Sequence, residues 1–184
     1  GTVIGQSDGL FVGDRNIVRN SATNLGVLIA KAQMVKTKAD VGIMNSGGIR
    51  ADMEAGEITY KDVLTVQPFA NILTYVDFSG QELTEYLTAA VNMAAGSGAF
   101  AQISGAEIRT AAGKITRMTV AGTAIDMNQS YRIAVNSFMA SGGDGYPKIS
   151  DHANFVNTGF VDADMLVEYI QNNSPLSVSD FEPD

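Results

Sequence analysis

The chain has no cysteine, no tryptophan and a single histidine, His152, among its 184 residues. Without cysteine there is no disulfide framework, no thiol nucleophile and no thiolate metal site. One histidine cannot supply the dense His and Asp ligands that two-metal phosphoester hydrolysis requires, nor a His-based acid–base pair. In the polar stretch Asp151-His152-Ala153-Asn154 it reads as a surface or hydrogen-bonded residue. Positive charge is also scarce: 12 Lys and Arg against 20 Asp and Glu leave a net charge of −8. That balance argues against a nucleic-acid partner and against an anionic membrane surface, both of which are held by Lys and Arg. No apolar run approaches the roughly 18–20 residues of a membrane span, and no P-loop is present. The chain opens on Gly1-Thr2, with neither Met nor a signal peptide, as expected of a segment processed or trimmed from a longer product.

What remains is ordinary globular composition, 45% apolar and 17% charged, which sets disorder aside and suits one domain over residues 1–184. Leu25, Leu28, Ile29, Ala32 and Val35 recur at helical spacing and predict a helix from about Asn24 to Lys38, after a turn-like stretch Asp14–Thr23. Asp40–Met44 reads as a short buried strand. A short helix is expected around Thr59–Leu64, closed by Gln67-Pro68-Phe69. Asn71–Phe78 is strand-like, and Ser79-Gly80-Gln81-Glu82 spells a capping box for a helix to about Ala94. Ala101–Arg109 and Ile115–Val120 flank a hairpin signal at Ala112-Gly113-Lys114. A strand over Tyr131–Asn136 and a helix over Asp162–Gln171 follow, and Ser174–Asp184 reads as a surface tail. Helices and short hairpins intermix, so the expected class is α+β, a mixed β-sheet with flanking helices.

Two glycine-dense loops each follow an apolar run: Asn45-Ser46-Gly47-Gly48-Ile49-Arg50, and the loop from Asn136-Ser137-Phe138 through Gly142-Gly143-Asp144-Gly145-Tyr146-Pro147. Arg50, Arg15 and Arg19 sit in polar, glycine-rich surroundings where a guanidinium can clasp a phosphate with two parallel hydrogen bonds. The alternative for each is a plain surface cation. Phe69 and Phe138 stand where elements end, so they can stack on a base or plug the core. Asn71, two residues beyond Phe69, can bond a base edge. Asp144 can accept from the vicinal hydroxyls of a ribose or only stabilise its own turn. Together an anion clasp, ring platforms and a diol acceptor describe a nucleotide, while nothing in the chain supplies catalysis.

Nearly the whole chain resembles the C-terminal domain of the 5'-nucleotidase family, in its bacterial periplasmic 5'-nucleotidase/UDP-sugar hydrolase branch. The resemblance is carried by Ala32-Gln33-Met34, by Asn45 to Arg50, by Glu54-Ala55-Gly56-Glu57-Ile58-Thr59-Tyr60-Lys61 and by Val66-Gln67-Pro68-Phe69. Ser97-Gly98-Ala99-Phe100, Gly142 to Pro147, Val156-Asn157-Thr158-Gly159-Phe160 and Ser174-Pro175-Leu176 extend it. It implies that Phe69 and Phe138 sandwich the base, Asn71 touches its edge, Asp144 holds the ribose hydroxyls and Gly98 lines the pocket. It further implies that Arg15, Arg19 and Arg50 bind phosphates and that Asn45 contacts substrate. The parent would be periplasmic or secreted. It would carry an N-terminal metallophosphoesterase domain with two divalent metal ions and a His–Asp pair, and residues 1–10 would be what remains of the interdomain linker. A stand-alone nucleotide-binding module and the C-terminal domain of a 2',3'-cyclic-nucleotide phosphodiesterase are the competing readings.

Overall fold

A computed structural model describes all 184 residues. In chain order the elements are β1 (Val3–Ser7), α1 (Arg15–Val18), α2 (Asn24–Thr37), β2 (Val41–Asn45), β3 (Gly56–Thr59), α3 (Tyr60–Val66), β4 (Ile72–Ser79) and α4 (Gly80–Val91). They continue with β5 (Ala101–Ser104), β6 (Ala106–Ala111), β7 (Lys114–Val120), β8 (Thr123–Ala124), β9 (Ser130–Asn136), α5 (Ser137–Ala140), β10 (Phe155–Val161) and α6 (Asp162–Asn173). The α+β class with flanking helices holds.

A five-stranded sheet ordered β10-β4-β9-β2-β5 forms the centre, parallel only between β2 and β9. Both of its faces are covered. Leu25, Leu28 and Ile29 of α2 and Leu166 and Ile170 of α6 pack with Met44, Leu73 and Ala134 on one face. Leu83, Tyr86 and Leu87 of α4, with Met118 and Val120 of the β6-β7 hairpin, cover Ile43, Val76, Ile133 and Val135 on the other. A strand apolar on both faces loses the polar–apolar alternation, which is why β2 is buried along its whole length.

The parallel pairing is brief, Val41 opposite Ile133 and Gly42 opposite Ala134. At the next carbonyls Gln33 of α2 intervenes, its Nε2 donating to Ile43 O (3.0 Å) and Ala134 O (2.9 Å). A buried side-chain amide thus satisfies backbone groups that would otherwise lie unpaired.

The capping box at the start of α4 forms as predicted, with Glu82 N–H donating to Ser79 Oγ and Ser79 N–H to Glu82 Oε1. Four expectations are corrected. The turn-like stretch Asp14–Thr23 contains a short helix, capped by Asp14 and anchored by buried Val18. Ala101–Arg109 is not one strand: Gly105, at φ 93°, breaks it, so β5 joins the central sheet and β6 turns away into the hairpin. Strands β3, β8 and β10 were not anticipated, and Val3–Ser7, within the expected linker remnant, forms β1 against β3. Finally, Ser174–Asp184 is no free tail, because Leu176 and Phe181 are buried and Phe181 meets Phe11 edge-on at 5.7 Å. His152 is satisfied, its Nε2 lying 2.8 Å from Glu82 Oε2. No helix is long and apolar enough to cross a membrane.

Candidate functional site

Topology gathers the two glycine loops. Because β2 and β9 are parallel neighbours, the loops leaving Asn45 and Asn136 emerge at the same sheet end. The antiparallel neighbours enter there: Ala101 of β5 pairs with Asn45, and Leu73 of β4 pairs with Asn136. Segments 97–100 and 69–71 therefore join the same edge. Ligand crevices outside the carboxyl ends of parallel strands follow the same logic.

The dipeptide Asn-Ser closes both strands, and each serine latches a neighbouring entry segment. Ser46 Oγ donates to Ser97 O (3.2 Å), while Ile72 N–H donates to Ser137 Oγ (3.0 Å). Gly47 N–H donates to Gly98 O (2.8 Å), and the Tyr146 hydroxyl to Ala99 O (2.6 Å). Four segments distant in sequence become one rim.

That rim encloses a cavity of about 520 Å³. Arg19, Asn45, Phe69, Asn71, Gly98, Phe138 and Asp144 line it, together with Gly47 and Gly48. Arg15 and Arg50 do not line it. Arg50 is drawn aside, its guanidinium carbon 5.6 Å from the Phe69 ring centroid and Nη1 3.4 Å from Gly47 O.

Phe69 is 54% exposed and Phe138 43% exposed, which decides against either ring plugging the core. Local backbone geometry aims them. Ala70, after Phe69, takes the left-handed φ of 54°, uncommon for a residue with a Cβ. Phe138 is the second residue of α5, a single turn capped by Asn136 Oδ1 accepting from Met139 N–H. Its ring lies against Gly143, where a Cβ would come 2.7 Å from two ring carbons. Asp144 is itself left-handed at φ 59°, between Gly142 and Gly145 at positive φ, and is exposed. Its Oδ2 accepts from Asn45 Nδ2 at 3.0 Å.

Burial lowers the Arg19 guanidinium below its ordinary value, the charges of Arg15 and Arg50 act the same way, and Asp144 opposes them. None of these three arginines forms an ion pair, whereas Arg132 is paired to Asp77 at 2.8 Å. A cluster of like charges without carboxylate partners is suited to an anion. Asn71 gives its backbone carbonyl to Asp162 N–H (2.8 Å) and its side chain to the cavity wall. No group of three or more His, Cys, Asp or Glu is placed to hold a metal.

Sequence reasoning missed the roles of Asn136 and Gly143. The signal for Asn136 was available in the repeated Asn-Ser at two strand ends, since Asn is a preferred helix cap. Gly143 carried no such signal, because its need for a missing Cβ arises from Phe138 folding back over it.

The comparisons with known proteins bear on family and fold. The family model for the 5'-nucleotidase, C-terminal domain, matches residues 3–151. A 5'-nucleotidase of Vibrio cholerae is 51% identical over 180 residues, 98% of this chain and 32% of that protein. Protein UshA of Salmonella pullorum is 48% identical over the same share of the chain and 33% of its own length. Among solved structures, a 5'-nucleotidase precursor from Thermus thermophilus superposes with a TM-score of 0.82 at 33% identity, covering 93% of this chain and 36% of that one. The chain thus spans about a third of the curated relatives it matches. Family model, sequence identity and fold converge: the chain belongs to the 5'-nucleotidase C-terminal domain family.

Proposed function

We propose that this chain is the substrate-specificity domain of a metal-dependent 5'-nucleotidase/UDP-sugar hydrolase, binding the base, ribose and phosphates of a nucleotide or nucleotide sugar. One observation carries the reading: two exposed phenylalanines share a single cavity with an exposed aspartate and an unpaired arginine. In this reading Phe69 and Phe138 offer apolar faces to a base, and Asn71 bonds its edge with an amide that both donates and accepts. Asp144 accepts from the ribose hydroxyls. Arg19 clasps the nearest phosphate from the cavity wall, with Arg15 and Arg50 completing the positive field around it. Asn45 supports Asp144 from behind, and Gly98 lets the ligand approach the backbone.

The family implies two divalent metal ions. The donor set here does not fit them, since the chain offers one histidine, no cysteine and no clustered carboxylates. On this reading the metals belong to an N-terminal metallophosphoesterase domain of the parent, reached through residues 1–10, and the parent acts in the periplasm or outside the cell. Binding energy gathered on base and ribose, away from the scissile bond, would serve to position the phosphoryl group.

Calorimetric titration of the chain with AMP, adenosine and inorganic phosphate tests the proposal. Adenosine binding that Phe69→Ala or Phe138→Ala removes supports it. Metal-dependent AMP hydrolysis by the chain alone would contradict the assignment of catalysis to another domain.

A further inference from the structure

Two buried asparagines, Asn45 in the cavity wall at 4% exposure and Asn136 at 2%, form a directional chain. Met139 N–H donates to Asn136 Oδ1 (2.9 Å), Asn136 Nδ2 donates to Asn45 Oδ1 (2.9 Å), and Asn45 Nδ2 donates to Asp144 Oδ2 (3.0 Å). A side-chain amide can in general sit in either of two flips. Here both ends remove that freedom, because a backbone N–H only donates and an ionised carboxylate only accepts. The Asn136 oxygen is committed to the cap, so its NH₂ faces Asn45, and the NH₂ of Asn45 faces Asp144. One Asp144 oxygen is thereby held by a neutral donor, and no protein donor contacts the other. The first link caps the helix that carries Phe138, and the last orients the carboxylate.

We propose that Asn136 is a positioning residue for nucleoside recognition: acting through Asn45, it couples the Phe138 base platform to the Asp144 diol acceptor and so selects ligands with an intact 2',3'-diol. The proposal rests on the nucleotide reading of the cavity. Its chemical content is polarity. Replacing the NH₂ of Asn136 by an acceptor makes Asn45 turn its own NH₂ inward and present its oxygen to Asp144, so that two acceptors oppose each other.

The test is calorimetry of the 184-residue chain with adenosine and 2',3'-dideoxyadenosine. The unaltered chain should prefer adenosine by about tenfold, the worth of a hydrogen bond to a charged acceptor. Asn136→Asp keeps a capping oxygen but inverts the chain. It should reduce that preference to about twofold or less and leave dideoxyadenosine affinity within about twofold. Asn136→Ser also caps, through Oγ, but is too short to reach Asn45; it should behave alike, and it serves if the buried charge of the first variant prevents folding. An unchanged preference in a folded variant overturns the proposal. Equal losses for both nucleosides also overturn it, because they mark a merely structural asparagine. An unaltered chain that binds both nucleosides equally would refute diol selection while leaving the base platform standing. One that binds neither would overturn the nucleotide reading itself, and this proposal with it.

Discussion

Truncating Phe138 to alanine isolates the base platform. The ring is 43% exposed, so the substitution forfeits only part of the roughly 1.5–3 kcal/mol that a fully buried phenylalanine contributes to folding. The chain should therefore stay folded at 25 °C, melting a few degrees lower. Against a base, stacking on one aromatic ring contributes roughly 1–3 kcal/mol, or about 5- to 150-fold in Kd. Adenosine and uridine should weaken by comparable factors, since every base presents a π-face. Ribose 5-phosphate, which has no base, should bind Phe138→Ala as it binds the unaltered chain. Phe69→Ala should give the same selective loss. If both rings flank one base, the double variant should lose less than the sum of the two, because a base already slipped from one platform has less to lose at the other. Isothermal titration with the three ligands, beside a thermal melt of each variant, supplies the numbers. Ribose 5-phosphate weakening as much as adenosine would refute the stacking role, as would unchanged adenosine affinity in a folded variant.

Arg19→Ala should weaken AMP by at least about tenfold and leave adenosine unaffected, and Arg50→Ala should weaken AMP less, because only Arg19 lines the cavity; equal calorimetric losses for AMP and adenosine would deny Arg19 its phosphate. Gly143→Ala places a methyl 2.5 Å from Phe138 O and 2.7 Å from two ring carbons, so the ring must yield by roughly 0.8–1 Å to regain ordinary contact. Adenosine affinity should fall about three- to tenfold, short of complete loss of the platform, and titration of a folded variant with unchanged affinity would contradict this. Burial pushes the Asp162 carboxyl up to about 6 from an ordinary 3.8. Between those values the native state holds a proton that the unfolded chain has released, so this group's contribution falls as pH rises, with its full cost present above about 6. Asp162→Asn should accordingly raise the melting temperature at pH 7.5 relative to its effect at pH 4, and an identical shift at both would exclude a buried charge as the cause.

Local pattern revealed the elements whose information is local. Helix α2 has its apolar spacing, α4 its capping box, and β2 and β9 their apolar runs. Strand β10 escaped notice because it is an edge strand: Val156 and Phe160 are exposed, and its register with β4 shifts between Asn157 and Val161. Leu176 and Phe181 looked like stray apolar residues in polar text, since the partners that bury Phe181, Phe11 and Tyr169, come from distant elements. The site divides the same way. Residue types able to grip a phosphate, a ring and a diol stood out in their glycine loops. That β2 and β9 run parallel side by side, bringing those loops to one edge, is written in no short window. Nor is it visible locally that Arg50 turns toward Phe69, or that Asn45 spends its amide between Asn136 and Asp144.

The amide of Gln33 has a reach beyond its helix. It ties Ile43 O to Ala134 O, two residues before Asn45 and two before Asn136, so one side chain on α2 acts as the spacer bar between the two halves of the rim. Gln33 does not line the cavity, yet its amide holds the two strand ends from which both rim loops depart. A redesign for bulkier ligands that altered only the lining would leave this tie in place, whereas a longer or shorter group at position 33 would move both loops at once.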